Sequence, residues 1–275
     1  MQPFQQTSKL PLSFFSVAGE KTHDELISHA RTAGQNFQGE KVTVQYSALV
    51  SEVMENCSVL IAKGDPFISM TDAAGVLSEF SAERRKKLEL SDEESDAYKT
   101  RLRKGQRACA FQGHEDFGHT CPDFERILSV GISGIVKEAE SLLKEQKSVE
   151  KKEFYQSVIR VWKSARSLAL RMAQAGEKEN DENLSVAADN LRFLADNPPK
   201  TFMQALQLIA LYYELQQNIE DTPVRSLGKL DRLLYPYYCH DIEKSNKKEE
   251  DIEEEFSYFL RHIDSYKACA NIPFA

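Results

Sequence analysis

Apolar residues recur at helical spacing through the second half of the chain. Between residues 150 and 175 they fall three or four positions apart, a pattern that predicts one long amphipathic helix. These positions are Phe154, Val158, Val161, Trp162, Ala165, Leu168, Ala169 and Met172. A shorter periodic segment at 184–194 ends at Asn197-Pro198-Pro199, because the residue before a proline disfavours helical geometry. The pattern therefore predicts a mainly helical protein.

Further helices are predicted towards the end of the chain. Residues 202–212 are almost all apolar, with Thr201 as a plausible cap, and a helix of this kind is buried on most sides. Residues 252–263 form the final predicted helix. Between these two, 219–240 is predicted to be irregular because of its prolines and glycine, and 241–251 to be a charged linker.

The first hundred residues are less regular. The apolar positions from Val42 to Ile61 fit a helix better than a strand, and Gly64-Asp65-Pro66 predicts a turn. The run from Ser13 to Val17 is apolar but ambiguous in type. Residues 72–105 are predicted to hold one polar helix or two short ones. No repeat of 20–50 residues occurs.

Charge and composition exclude several classes of protein. The 275 residues include 35 basic and 43 acidic ones, a net charge of −8, which is unfavourable for general binding to nucleic acid or anionic membranes. No apolar run is long enough to span a membrane. The first residues have no basic region followed by an apolar core, so we expect no secretory signal there. The five cysteines are scattered without a CxxC pair. They indicate reduced thiols in a cytoplasmic protein.

The least generic stretch, 106–134, contains Cys109, His114, His119 and Cys121 in the spacing C-x4-H-x4-H-x-C. Zinc accepts thiolate and imidazole ligands, but structural sites use close pairs at both ends, so a zinc module is the weaker interpretation. A Cys–His nucleophile built on Cys121 has still less support, since such dyads join distant segments. The common nucleotide-binding and hydrolase motifs are absent.

Three segments carry a resemblance to a known family. They are Gly118–Ile135, Asn197–Leu208 and Ser226–Tyr237. In order and spacing they resemble motifs of the glycyl radical enzymes, the pyruvate formate-lyase-like superfamily. The resemblance covers residues 106–275, whereas 1–105 match only loosely. We therefore divide the chain into a poorly assigned helical region, 1–105, and a pyruvate formate-lyase-like N-terminal region, 106–275, that stops short.

The third segment departs from the family pattern. Lys229 stands where the family has arginine, and Arg232 where it has glutamine, so a planar bidentate donor is replaced by a point charge at the first position. The asparagine- and glycine-rich stretch that precedes this segment in the family is absent from 218–225. The resemblance therefore does not extend to the substrate contacts that this loop makes in the family.

The resemblance implies a mainly α fold with some β, the helical half of an α/β barrel, incomplete in this chain. It implies a radical lyase or dehydratase of a small polar substrate, anaerobic and cytoplasmic, with a glycyl radical installed by a radical SAM activase. The thiyl cysteine and radical glycine of the family would lie beyond Ala275, so we expect this chain to be inert alone. It implies His119 and Ser226 as substrate contacts, no metal ligand, and Asp123 as a helix cap.

The resemblance leaves the substrate open, and also the oligomeric state, although the family tends to form homodimers. It implies no nucleic acid or membrane partner. The alternative to an enzyme segment is a non-catalytic, truncated relative that binds a partner protein through its apolar terminus.

Overall fold

A computed structural model describes residues 12–17, 19–36, 41–88, 121–222, 224 and 226–269, and a few single positions between 97 and 108. Helices dominate these ranges. The strands are β1 (Phe14–Val17), β2 (Val59–Ala62) and β3 (Met70–Thr71). The helices are α1 (His23–Gln35), α2 (Val42–Asn56), α3 (Val76–Leu88), α4 (Phe124–Glu145), α5 (Val149–Glu177), α6 (Glu182–Asp196), α7 (Phe202–Glu214), α8 (Leu230–Lys244) and α9 (Glu249–Cys269).

The three strands form a small antiparallel sheet in the order β1-β2-β3. Phe14 lies opposite Ala62, and Val59 opposite Thr71. The prediction of a helix from 42 to 61 was therefore wrong in its second part, because α2 ends at Asn56. The run Val59–Ala62 is rich in β-branched residues and finds two partner strands, which decides its state.

The core of the helical part forms around α7. Nearly every residue of α7 is buried, as its apolar composition predicts. It packs against α4, α6, α8 and α9, while α5 packs against α2, α4 and α6. Thr201 caps α7: its hydroxyl accepts from the Gln204 N–H, and the Gln204 side chain accepts from the Thr201 N–H. The helices predicted at 150–175, 184–194 and 202–212 are confirmed.

The prediction of irregular chain from 219 to 240 was wrong over its second half. Helix α8 spans Leu230–Lys244 and contains Pro236. Leu234 is buried, and the Tyr237 hydroxyl donates to the Leu128 carbonyl at 3.2 Å. Burial and this tertiary bond offset the helical hydrogen bond that the proline removes.

The charged linker predicted at 241–251 is instead divided between two helices. Asp241, in α8, is fully buried, although a charge-rich stretch predicts solvent exposure. Its carboxylate accepts from the Phe202 N–H at 3.1 Å and from the Lys247 ammonium at 2.9 Å. It therefore fastens the turn between α8 and α9 to the start of α7.

The segment 64–69, which leads into β3, contacts α7. The Gln207 side chain bonds both the N–H and the carbonyl of Ile68, at 3.3 and 2.9 Å. Such pairing satisfies the backbone of a buried segment that has no strand partner there. Within the described ranges, no helix is both long and apolar enough to cross a membrane.

Candidate functional site

The candidate site is a cleft of about 310 Å³ between the start of α4 and the start of α8. Its lining joins the first and third of the motif segments, which are about a hundred residues apart in sequence. The lining residues are Cys121, Pro122, Asp123, Phe124, Glu125, Gly228, Lys229, Arg232 and Leu233. The fold therefore brings two of the three segments together at one surface.

One wall of the cleft is the first turn of α4. Asp123 is the N-cap, and its carboxylate accepts from the Arg126 N–H at 2.9 Å. The helix itself begins at Phe124. Phe124 is buried, with its ring 5.7 Å from that of Tyr212 in an edge contact. The cap and this contact hold the wall in place.

The other wall follows Ser226. The Gly228 N–H donates to the Ser226 hydroxyl oxygen at 3.0 Å, closing a tight turn before α8. Gly228 has a φ of +73°, which L side chains rarely adopt. A Cβ there would also lie 3.4 Å from the Cys121 sulfur. The positive φ therefore favours glycine at this position, where the two walls are in contact.

The second motif segment contacts α4 at a kink in that helix. Gly131 interrupts α4 with φ 68° and ψ 177°, a combination essentially reserved for glycine. A Cβ at Gly131 would lie 2.9 Å from the Pro198 nitrogen. The Ser133 hydroxyl donates to the Ala195 carbonyl at 2.8 Å, close to the same contact. The proline pair therefore packs into a kink that only glycine permits.

Charges of opposite sign line the two walls. Asp123 and Glu125 lie on the α4 side, and Lys229 and Arg232 on the α8 side. All four are exposed, and among the described residues they form no ion pair with one another. The departures from the family pattern, Lys229 and Arg232, thus lie on the cleft itself.

Tyr212, whose ring contacts Phe124, and the two acidic residues after the turn 215–219 have raised pKa values. Burial, together with the carboxylates of Glu220 and Asp123, raises the pKa of Tyr212 to about 12. Partial loss of solvation also raises the pKa of the Glu220 and Asp221 carboxyls, although the Asp221 side chain reaches the surface. Sequence reasoning did not single out these residues. Glu220 and Asp221 lie beyond the apolar helix, after the polar residues Gln216, Gln217 and Asn218, so no local pattern marks them.

The predicted site residues have different outcomes. Ser226 is exposed at the edge of the cleft, in contact with Gly228 of its lining. His119 lies outside the described residues, so its substrate contact stays a prediction. Asp123 is confirmed as a helix cap.

The alternative zinc site is likewise untested at most of its positions. Of its four proposed ligands, only Cys121 falls within the described residues, where it is exposed. In the part of the chain that the structure describes, no three His, Cys, Asp or Glu side chains are grouped as metal ligands.

Comparison with known proteins gives a consistent family. A family model described as pyruvate formate lyase-like matches residues 30–272. Among curated proteins, the (2S)-3-sulfopropanediol dehydratase of Klebsiella oxytoca is 28% identical over 163 residues, which are 54% of this chain and 19% of the dehydratase.

Solved structures share the fold. The chain superposes on a Roseburia inulinivorans protein of 1,2-propanediol dehydration with a TM-score of 0.68 and 16% identity, covering 90% of this chain and 36% of that one. The superposition on a glycyl radical enzyme from Archaeoglobus fulgidus has a TM-score of 0.60 and 18% sequence identity, and covers 94% of this chain and 39% of that one. The chain thus spans well under two thirds of these relatives. Because the family model covers most of its length, the chain belongs to the pyruvate formate lyase-like family, the glycyl radical enzymes.

Proposed function

We propose that this chain is the N-terminal, helical part of a glycyl radical lyase or dehydratase, and that the cleft is one wall of its substrate pocket. The observation that carries the proposal is the meeting of the first and third motif segments at the cleft, between Cys121–Glu125 and Gly228–Leu233. Two sequence segments that resemble family motifs gain a shared surface only through the fold. A common ligand is the simplest reason for that arrangement.

The side chains at this wall suit a small hydroxylated substrate. Ser226 has an exposed hydroxyl that can donate to a substrate oxygen while it accepts from Gly228. His119, two residues before Cys121, is proposed as the second polar contact. The relatives named for sulfopropanediol and propanediol support a diol-like substrate, with the exact compound left to experiment.

The reaction itself needs groups that we propose lie on further polypeptide. A glycyl radical, installed by a radical SAM activase, would supply the hydrogen abstraction through a cysteine thiyl. The residues of this chain would bind the substrate, orient its hydroxyl groups and shield them from water. We propose that the 275-residue chain alone is inert.

The remaining features of the proposal concern organisation. We propose residues 1–105 as a helical N-terminal region, and 106–275 as the pyruvate formate-lyase-like N-terminal region, truncated at its C-terminus. The whole protein is proposed to be cytoplasmic and to form a homodimer, without nucleic acid or membrane partners. No metal is assigned to this region.

The test is the size and radical content of the native polypeptide. We would isolate it anaerobically from its source cells, measure its intact mass and record its electron paramagnetic resonance spectrum. A mass well above 31.3 kDa with a glycyl radical signal is the expected result. A radical-free product of 31.3 kDa would overturn the proposal and favour the alternative, a non-catalytic relative that binds a partner.

The site assignment is tested in the same native enzyme. With 1,2-propanediol as the probe substrate, Ser226→Ala and His119→Ala should each raise KM or lower kcat. Ser129→Ala is the matched control, because Ser129 is exposed on α4, outside the cleft lining, and among the described residues its hydroxyl donates to the Arg126 carbonyl. Equal kinetics in all three variants would remove these residues from the pocket.

A further inference from the structure

We infer that the π-helical turn Leu215–Ile219, which continues α7, positions the turn Ser226–Lys229, and that Gln217 is the positioning residue. The relevance of this to catalysis rests on the proposed function, because Ser226 is proposed there as a substrate contact. The structural claim stands on the contacts of the turn itself.

The turn departs from α-helical hydrogen bonding. The Glu220 N–H donates to the Leu215 carbonyl at 2.9 Å, five residues back, and the Thr222 N–H to the Gln216 carbonyl at 2.9 Å, six residues back. An α-helix bonds four residues back, so the widened turn absorbs an extra residue. That extra residue rotates everything after it by about 100° relative to an uninterrupted helix, one residue's share of a 3.6-residue turn. Such π-turns are often found at functional sites.

The start of the turn is fastened to the sheet. Glu214 is fully buried, and one of its carboxylate oxygens accepts from both the N–H and the hydroxyl of Thr71. Its other oxygen accepts from the Asn218 side chain at 2.7 Å. Bonds of this kind to a buried carboxylate are strong, and they leave the π-turn little freedom to revert to an α-helix.

The end of the turn is fastened to the chain just before Ser226. The Gln217 side-chain oxygen accepts from the Val224 N–H at 2.9 Å. The Val224 side chain is buried against Met70 and Tyr213. Val224 is therefore held through both its N–H and its side chain, two residues before Ser226. The Ser226 hydroxyl in turn accepts the hydrogen bond from the Gly228 N–H.

The neighbouring Gln216 makes a different contact, which provides a matched control. Its side chain donates to Glu220 at 3.2 Å and lowers the pKa of that carboxyl, against the larger effect of burial. It has the same size and chemistry as Gln217, is also half-buried, and has no bond to Val224.

The test uses the ¹⁵N-labelled 275-residue chain and the amides of Val224, Ser226 and Gly228. Gln217→Met keeps the size of the side chain and removes the acceptor, so the Val224 amide should exchange with solvent about tenfold faster. The Ser226 and Gly228 resonances should shift at the same time. Gln217→Glu restores an acceptor oxygen and should rescue both readouts, while Gln216→Met should leave them as in the parent chain.

Two results would overturn the inference. One is a Gln217→Met chain whose Val224, Ser226 and Gly228 amides are unchanged. The other is a failed rescue, in which Gln217→Glu behaves as Gln217→Met does. If Gln217→Met does not fold, Val224→Ala weakens the same anchor from the other side and should shift the Gly228 resonance. An unshifted Gly228 in that variant would likewise overturn the inference.

These outcomes are separable from those of the proposed function. A native polypeptide without a glycyl radical would remove the proposed function and leave the amide result standing. Unmoved amides would remove the positioning role of Gln217 whatever the radical measurement shows.

Discussion

The imidazole of His262 donates from Nδ1 to the Asp65 carboxylate at 2.6 Å, although 197 residues separate the two in sequence. Its Nε2 lies 2.7 Å from the Ser69 hydroxyl, and all three side chains are fully buried. The Phe67 ring lies 5.7 Å from the imidazole. Helix α9 is thus joined by a buried polar chain to the segment that follows β2.

The buried hydrogen bonds of His262 predict that its loss strongly lowers the free energy of unfolding. His262→Ala would leave the Asp65 carboxylate buried beside a vacated site, and loss of one member of such a pair costs about 3–5 kcal/mol. Urea unfolding of the two proteins would measure it. His29→Ala is the control, because His29 contacts Glu52 with its own side chain 52% exposed, and such surface pairs contribute about 1 kcal/mol or less. Equal losses in both variants would contradict the prediction.

The kink at Gly131 predicts that alanine is more destabilising there than at Gly64, another glycine with positive φ. Gly64→Ala places a Cβ at a φ of +76° with no atom within 4 Å, so it measures backbone strain alone, about 1–2 kcal/mol. Gly131→Ala combines a φ/ψ pair that is essentially reserved for glycine with the overlap with Pro198, and should lower the free energy of unfolding by at least about 1 kcal/mol more. Denaturant midpoints of the two variants give the comparison. A Gly131→Ala chain as stable as Gly64→Ala would show that α4 relaxes freely.

The cap of α7 predicts a third difference. Thr201→Ala removes the hydroxyl that accepts from the Gln204 N–H and should cost about 1 kcal/mol. Ser148 occupies the same N-cap position on α5 but makes no side-chain bond to the helix. Ser148→Ala should therefore be nearly neutral. Thermal unfolding of both variants tests this, and a greater loss at Ser148 than at Thr201 would be the contrary result.

Glu220 predicts a pH dependence. Burial raises its pKa above the ordinary value of 4.5, so the native state favours the neutral acid. The resulting stabilisation is complete below pH 4.5 and is lost as the pH rises through the raised pKa of the folded state. Glu220→Gln, which stays neutral, should match the parent chain near pH 4 and exceed its Tm increasingly towards pH 8.

The matching control for this pH series is Glu177→Gln. A hydrogen bond from Arg192 lowers the pKa of Glu177, so its contribution is present above pH 4.5 and lost as the pH falls through the lowered value. The Tm difference of this variant should therefore have the opposite sign. A Glu220→Gln difference that does not change with pH would refute the burial argument.

Local patterns in the sequence were enough for a large part of this protein. Helical spacing of apolar residues correctly predicts α5, α6 and α7. Each of these helices buries one face or nearly its whole surface, and residues on one face of a helix are only three or four positions apart in sequence. Thr201 could be recognised as a cap for the same reason, since its bonding partner lies three residues away. The three motif segments indicated the family, which the family model confirms.

Other features were decided only by the tertiary structure, because they depend on partners far away in sequence. Helix α8 forms through Pro236 since Leu234 and Tyr237 gain buried contacts, and Asp241 is buried because it accepts from the start of α7. Likewise, no local pattern brings Cys121 to Gly228 or the acceptor oxygen of Gln217 to Val224. The periodicity of apolar residues predicts which face of each helix is buried. It does not predict which helices pack against one another, and the cleft depends on that packing.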